Sequence, residues 1–154
     1  MTVPALERAA SAPRLPSRPV PERGSRFQEL LDIVGEPARL WRAPGRVNLI
    51  GDHTDYQEGF CLPIAIGNEV DVAYRSRPDR RVIVRSLDLR GTVDIDAGGT
   101  DDPDKVAPDW GRTVAGVVRV LAMQGRPPVG IDAAIASNIP IGSGLSSSAA
   151  FEVA

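Results

Sequence analysis

The chain has 154 residues, of which 42% are hydrophobic, so it can build one domain with a buried core but is short for two. A formal net charge of −2 leaves no basic surface for nucleic acid or an anionic membrane, and no apolar run is long enough to cross a bilayer. We therefore expect neither nucleic acid nor a membrane as a partner.

The start of the chain and its single cysteine bear on where the protein works. Residues 1–24 are rich in Pro, Arg, Ala and Ser and lack the continuous apolar segment of a secretory signal, which is typical of a disordered extension. Cys61 is the only cysteine, so no intrachain disulfide can form. Its apolar neighbours indicate a small buried side chain rather than a nucleophile. Both features favour a cytoplasmic protein.

The folded part begins with a helix, and we assign residues 25–154 to one domain. Ser25 and Gln28 match a capping box, and Gly35 stands where a helix commonly ends. These signals predict a helix over residues 25–34.

Several strands are predicted next. The first covers residues 39–43 and continues over residues 47–51, with a bend or bulge at Pro44, because a proline cannot donate to a strand ladder. A turn over residues 57–59 follows. The apolar stretch 60–66 is then expected to be a buried strand.

Partial alternation of apolar and polar residues predicts a hairpin. Its strands cover residues 69–74 and 81–87, with a turn at residues 77–79 between them. A short strand over residues 92–96 and a polar loop over residues 97–108 complete this part of the chain.

The last third contains a second helix, another strand and the start of a third helix. Asp109 is expected to cap the second helix and Gly125 to end it. Its apolar stripe consists of Val114, Val117, Val118 and Leu121. Residues 129–135 alternate and predict a half-buried strand, after which residues 138–144 form a loop and Leu145 begins a helix. Strands that come first, with helices inserted, favour an α+β fold.

A dense group of polar side chains follows an apolar run in the first half of the chain. It lies within residues 43–56 and contains Arg46, Asp52, His53, Asp55 and Tyr56. Carboxylates accept hydrogen bonds from sugar hydroxyls, a histidine donates or accepts, and an arginine carries a permanent charge suited to a phosphoryl group in transfer. A solvated loop with a structural histidine is the plainer alternative for any one of these residues. Their clustering behind residues 47–50 favours a site for a small polar ligand such as a sugar.

A glycine- and serine-rich segment near the end of the sequence predicts a phosphate-binding loop. Residues 139–150 follow a strand and open a helix. Glycines let the backbone approach phosphates, and the free N–H groups at a helix start favour negative charge. No lysine follows the glycines, so this is not a Walker-type loop. A left-handed turn with a serine cap is the plainer alternative, but three successive serines without a capping-box partner favour phosphate binding.

These two motifs carry a resemblance to a known family. Residues 45–56 resemble the galactokinase signature, which admits Asp or Glu at the position of Asp52. Residues 140–150 resemble the second motif of the GHMP kinases, the superfamily of galactokinase, homoserine kinase, mevalonate kinase and phosphomevalonate kinase. Weaker likeness extends over residues 27–154. The resemblance implies an α+β fold, namely the N-terminal GHMP kinase domain, which is ribosomal protein S5 domain 2-like.

The resemblance also implies roles for the matching residues. Arg46 would bind substrate and stabilise the transition state. The galactose-binding residues would be Asp52, His53, Thr54 and Asp55. The residues around the ATP phosphates would be Ile141, Gly142, Ser143, Gly144, Leu145, Ser146 and Ser147, with Ser147 next to Mg²⁺. The reaction would convert ATP and α-D-galactose into galactose 1-phosphate and ADP, as part of galactose metabolism by the Leloir pathway.

The resemblance further implies that the catalytic base is not in this chain. Galactokinases are longer, and their catalytic aspartate, a magnesium-binding glutamate and a third glycine-rich motif follow the second motif. We therefore expect an N-terminal part of a galactokinase that lacks the C-terminal domain and is inactive alone. The expected state is a monomer. Two alternatives stay open: a galactokinase-like sensor of galactose and ATP, and a kinase for N-acetylgalactosamine.

Overall fold

The computed structural model describes residues 25–51, 54, 57–140 and 144–154. Within these ranges, no helix is long and apolar enough to cross a membrane. The predicted disordered extension over residues 1–24 lies outside the described residues.

The described residues form three α-helices around one five-stranded sheet. In chain order the elements are α1 Ser25–Val34, β1 Arg39–Ile50, β2 Leu62–Arg77, β3 Arg81–Ser86, β4 Thr92–Asp96, α2 Gly111–Met123, β5 Gly130–Ser137 and α3 Ser147–Val153. The strand order is β1-β2-β5-β3-β4, in which β5 runs parallel to β3 and every other neighbouring pair is antiparallel. This mixed sheet with inserted helices confirms the predicted α+β class.

Helix α1 covers one face of the sheet, and α2 and α3 cover the other. Because successive side chains of a strand point to opposite faces, β5 contributes Ile135 to the α2 side and Ala134 to the α1 side. The prediction that this strand is half-buried was wrong, because it lies at the centre of the sheet with both faces covered. Its one acidic residue, Asp132, is 3% exposed and pairs with Arg75 and Arg85 at 3.2 and 2.7 Å.

Helix α1 has the predicted bounds. Gly35 ends it with a φ of +75°, a left-handed conformation that glycine adopts without strain, and its N–H donates to the Leu31 carbonyl at 2.7 Å. Leu30 and Val34 are almost fully buried against the sheet. The apolar spacing of this short segment thus specified both the helix and the face that it buries.

Strand β1 continues on both sides of Pro44, as predicted. Its pairing with β2 shifts register between Pro44 and Arg46, which confirms the predicted bulge at the proline. Pairing with β2 continues on both sides of the shift, so the bulge bends the strand without ending it.

The first half of β2 projects beyond the core, contrary to the predicted buried strand over residues 60–66. Pairing of β2 with β5 begins only at Val70, so the preceding residues pair with β1 alone. Phe60 is fully exposed and Leu62 is 57% exposed. Cys61 is exposed as well, which corrects the prediction that it is a buried side chain.

The predicted hairpin between β2 and β3 does not form, because β5 lies between them. The first residue of β5, Gly130, passes directly under the connection from Arg77 to Arg81. A Cβ atom at this position would overlap the carbonyl oxygen of Asp79. A side chain at this position would therefore block the insertion of β5. The strand over residues 92–96 pairs with β3 as an edge strand and has the predicted bounds.

Helix α2 begins after Trp110, and Asp109 is not its cap as predicted. The Asp109 carboxylate instead pairs with Arg112 at 2.9 Å. Two main-chain hydrogen bonds, from Gly111 to Pro108 and from Arg112 to Asp109, start the helix without a side-chain cap. The predicted end is confirmed, since Gly125 follows the helix with a φ of +77°.

Candidate active site

The fold brings the two sequence motifs into direct contact. At the bulge of β1, the N–H of Arg46 donates to the carbonyl oxygen of Leu145 at 3.2 Å. Arg46 belongs to the first motif and Leu145 to the second, and 99 positions separate them in the sequence. Arg46, which is predicted to act on the phosphoryl group, is therefore hydrogen-bonded through its own backbone to the predicted phosphate loop.

The described part of the first motif forms a strand end and a tight loop. Arg46 is exposed at the bulge. Asp52, His53, Asp55 and Tyr56 lie outside the described residues, so their predicted sugar contacts stay predictions.

Thr54 organises the loop that follows β1. Its hydroxyl lies 2.7 Å from the Gly51 carbonyl and 2.9 Å from the Phe60 carbonyl, and its own carbonyl accepts from Gln57 and Gly59. These contacts draw the two ends of the loop together. They show how Thr54 shapes the loop, whereas its direct contact with a sugar stays a prediction.

Asn48 is a candidate site residue that the sequence analysis did not identify. Its Oδ1 atom is buried, and no described residue donates a hydrogen bond to it. Leaving a buried carbonyl unsatisfied costs about 1–3 kcal/mol, so such groups often serve a function. The signal in the sequence was one amide inside the apolar run 47–50, two positions after Arg46.

The second motif contains two residues in left-handed conformation. Gly144 has a φ of +72° and Ser146 a φ of +58°, and α3 begins only at Ser147 rather than at Leu145 as predicted. The left-handed Ser146 delays the helix. Its side chain makes no capping hydrogen bond, so a serine cap does not explain this residue. Ile141, Gly142 and Ser143 lie outside the described residues, and their phosphate contacts stay predictions.

A cavity of about 590 Å³ opens beside the start of α3. This volume lies within the usual range of small-molecule sites, about 300–1,000 Å³. Ser147 and Ser148 line one side of the cavity, and Trp110, Leu89 and Phe151 give it apolar walls. The arrangement suits a ligand with a flat apolar part and a polar part directed toward the serines.

Fixed side chains shape this cavity. The indole N–H of Trp110 donates to the Arg90 carbonyl at 3.0 Å, which holds the ring in place. Asp88 accepts a hydrogen bond from the Ser137 N–H at 2.7 Å and pairs with Arg26. The cavity wall is thus held by hydrogen bonds before any ligand binds, which lowers the ordering cost of binding.

A charged network lies on the α1 face of the sheet, near the loop that precedes the second motif. Arg42 pairs with Asp71 at 2.7 Å and with Glu69 at 3.1 Å, and its guanidinium carbon lies 4.6 Å from the centre of the Phe27 ring. The hydrogen bond to Asp71 raises the pKa of Arg42. Burial raises the pKa of Glu69, although the charge of Arg42 acts against the shift. The main-chain N–H of Glu69 donates to the Asn138 side chain at 2.6 Å, so the network reaches the strand end that leads into the loop.

The described residues contain no group of three or more His, Cys, Asp or Glu side chains that could hold a metal ion. Ser147, the predicted magnesium ligand, is one of the residues that line the cavity. A single hydroxyl beside a phosphate loop fits the way proteins hold Mg²⁺, which keeps several waters and binds largely through substrate phosphates.

Comparison with known proteins agrees with this geometry. Residues 25–76 match the model of the galactokinase galactose-binding signature, and residues 112–154 match that of the GHMP kinase N-terminal domain. The chain is 46% identical over 133 residues to the galactokinase of Roseiflexus sp. (strain RS-1) and 45% identical over 122 residues to that of Chloroflexus aggregans. These alignments cover 86% and 77% of this chain, and 33% and 30% of the relatives.

Solved structures show the same fold. The crystal structure of Lactococcus lactis galactokinase complexed with galactose superposes with a TM-score of 0.71 at 31% identity, over 82% of this chain and 33% of that one. The mevalonate kinase of Methanococcus jannaschii superposes with a TM-score of 0.62 at 20% identity, over 77% of this chain and 38% of that one, which shows a shared fold.

The fold and the paired motifs define the N-terminal domain of a GHMP kinase, as the sequence predicted. Within that superfamily the chain belongs to the galactokinase family, a family of sugar kinases. It spans about a third of the length of the curated relatives that it matches, with 33% and 30% covered.

Proposed function

We propose that the protein carrying this chain is a galactokinase that transfers the γ-phosphoryl group of ATP to the anomeric hydroxyl of α-D-galactose. The observation that carries the proposal is the hydrogen bond from Arg46 to Leu145, which joins the galactose-binding signature to the predicted phosphate loop. Identity of 45–46% to two galactokinases supports it. The proposal also includes the predicted cytoplasmic location and monomeric state.

The sugar site is proposed at the end of β1. Asp52, His53 and Asp55 supply carboxylate and imidazole groups for the hydroxyls of galactose. Thr54 closes the loop that carries them, through its contacts with Gly51 and Phe60. The galactose complex of the L. lactis relative supports galactose as the sugar.

The nucleotide site is proposed along the cavity and the second motif. The apolar walls at Trp110 and Leu89 suit the adenine ring. The phosphates then extend along residues 141–147, where backbone N–H groups and serine hydroxyls meet them. A magnesium ion bound to the phosphates and Ser147 would neutralise part of their charge.

Arg46 is proposed to act on the phosphoryl group as it moves between the two sites. Phosphoryl transfer depends mostly on positioning and on neutralising charge that spreads over the equatorial oxygens. Arg46 is exposed at the junction between the motifs, so its guanidinium can reach a group bound by both.

Residues 1–154 purified alone are expected to release no ADP when mixed with ATP and galactose. The proposal takes the base that accepts the proton of the anomeric hydroxyl from a part of the protein other than residues 1–154, which span 33% of the Roseiflexus relative. A coupled ADP assay on this chain checks the expectation, with the full protein as the positive control. Turnover by the isolated chain at a rate near that of the full protein would contradict it.

Trp110→Ala is expected to weaken ATP binding about tenfold, because stacking of an aromatic ring on a nucleobase contributes about 1–3 kcal/mol. Trp110→Phe keeps an aromatic wall and should bind ATP nearly as well as the wild type. The control is Trp41→Ala, which removes the other tryptophan, 58% exposed on β1. Calorimetric titration with ATP measures all three variants. Equal loss of affinity in the Trp110→Ala and Trp41→Ala variants would contradict the assignment of the adenine site.

The proposed function is tested by ADP release from the full protein with galactose, with N-acetylgalactosamine and with no sugar. Release with galactose well above the other two supports a galactokinase. Preference for the acetamido sugar would indicate an N-acetylgalactosamine kinase instead. Binding of galactose and ATP without ADP release would indicate a sensor.

A further inference from the structure

Gly45 is a close point of contact between the two motifs. The residue is buried at the bulge of β1. A Cβ atom built there would lie 3.0 Å from the Leu145 carbonyl oxygen, 3.1 Å from Ile66 Cδ1 and 3.2 Å from Ile139 Cδ1. Each of these distances is shorter than an ordinary van der Waals contact, so any side chain larger than hydrogen would displace its neighbours.

The Leu145 carbonyl lies at the contact between the two motifs. It accepts the N–H of Arg46, and the residues on either side of it, Gly144 and Ser146, are both in left-handed conformation. The Leu145 side chain packs against the core that includes Ile139. A shift of this carbonyl therefore moves the residues that lead directly into Ser147.

We propose that Gly45 is a positioning residue that sets the distance between the sugar motif and the phosphate loop, and thereby couples the binding of galactose and ATP. This inference rests on the proposed function. The backbones of the two motifs touch at Gly45 and at the hydrogen bond from Arg46 to Leu145. A nucleotide bound next to Leu145 therefore also limits the positions open to the start of the sugar motif. Coupling of binding free energies is reciprocal, so galactose must tighten ATP by the same factor as ATP tightens galactose.

A methyl group at position 45 is expected to push the loop away by a few tenths of an ångström. Each ligand alone should then bind within about threefold of its wild-type affinity, while the coupling factor falls from about tenfold toward one. Misplacement of the phosphoryl donor against its acceptor should lower kcat about 10-fold to 100-fold.

The coupling is measured by calorimetric titration of the full protein with galactose, once without nucleotide and once with a saturating non-hydrolysable ATP analogue. The kcat of each variant is measured alongside. The variant is Gly45→Ala, and the matched control is Gly67→Ala in the neighbouring strand, where an added Cβ meets nothing within 4 Å. The expected result is lost coupling in the first variant and wild-type coupling in the second.

A further variant separates the role of the carbonyl from crowding of the core. Adding Ile66→Val and Ile139→Val to Gly45→Ala removes both Cδ1 atoms but leaves the Leu145 oxygen in place. This triple variant should have the melting temperature of the wild type, while the coupling between galactose and ATP stays lost. It replaces Gly45→Ala in the experiment if that variant folds poorly. Full recovery of coupling in the triple variant would overturn the inference. So would coupling in Gly45→Ala equal to that of the wild type, or a wild type that binds both ligands without coupling. A wild type that binds neither ligand would refute the proposed function and this inference with it.

Discussion

Arg46→Ala is expected to lower kcat for galactose phosphorylation about 1,000-fold, because arginines that stabilise a phosphoryl group in transfer contribute about 10³–10⁵ to kcat. The KM for galactose should rise far less, since Asp52 and Asp55 are proposed to hold the sugar. Its main-chain hydrogen bond to Leu145 survives the substitution, so the junction between the motifs stays intact. Steady-state kinetics of the full protein measure both parameters.

Arg39→Ala is the matched control for this experiment. Arg39 is an exposed arginine in the same strand, seven positions earlier and about 20 Å away along an extended backbone. Its loss should leave kcat unchanged. Arg46→Lys keeps the positive charge but loses the planar guanidinium. Its kcat should lie between those of the wild type and Arg46→Ala. A kcat for Arg46→Ala within fivefold of wild type would remove Arg46 from the proposed mechanism.

Leu30→Ala is expected to lower the free energy of unfolding by about 2–5 kcal/mol, because it removes a fully buried side chain and leaves a cavity. The sheet residues beneath Leu30 are small, namely Ala73, Ala134 and Ala136. Short side chains cannot extend to fill the space, so the loss should lie in the upper half of this range.

Denaturant unfolding of the protein measures the cost. Glu29→Ala is the control, because Glu29 is the preceding residue of the same helix and is exposed. It should change the free energy of unfolding by less than about 0.5 kcal/mol. A cost below 1 kcal/mol for Leu30→Ala would contradict the account of how α1 is anchored.

Local signals predicted the elements that depend on local chemistry. Gly35 marked the end of α1, and Pro44 specified the bulge in β1. The Gln28 side chain donates to Asp32 at 2.9 Å, so the capping box with Ser25 stays a prediction. The long-range pairing of strands was not predictable in the same way. Alternation over residues 69–87 fits a hairpin and also fits two strands separated by a third. The third strand is β5, more than forty positions later, and its Gly130 leaves room for the turn because it has no Cβ.

Burial was mispredicted where it depends on distant segments. The stretch around Cys61 is apolar, and only the point at which β5 begins to pair with β2, at Val70, shows that it projects beyond the core. The alternation of apolar residues with smaller or polar ones, Asp132 among them, predicted a half-buried β5. Arg75 and Arg85 from the two neighbouring strands neutralise that carboxylate, and no pattern within β5 reveals them.

In the candidate site, too, local features were predictable from the sequence and long-range contacts were not. Each motif was recognisable from its own residues and from its resemblance to a family. The contact between Arg46 and Leu145 depends on the whole sheet, and the cavity walls come from segments as distant as Leu89 and Phe151. Asn48 was missed because its significance lies in an absent hydrogen bond, which a sequence cannot show.

Identification of the phosphorylated product by phosphorus NMR tests the central claim most directly. The full protein is incubated with ATP, Mg²⁺ and α-D-galactose, and the reaction is followed to completion. The account predicts one sugar phosphate, carried on the anomeric oxygen, formed in equal amount to ADP. Phosphate on another hydroxyl, or no sugar phosphate while galactose and ATP both bind, would contradict it.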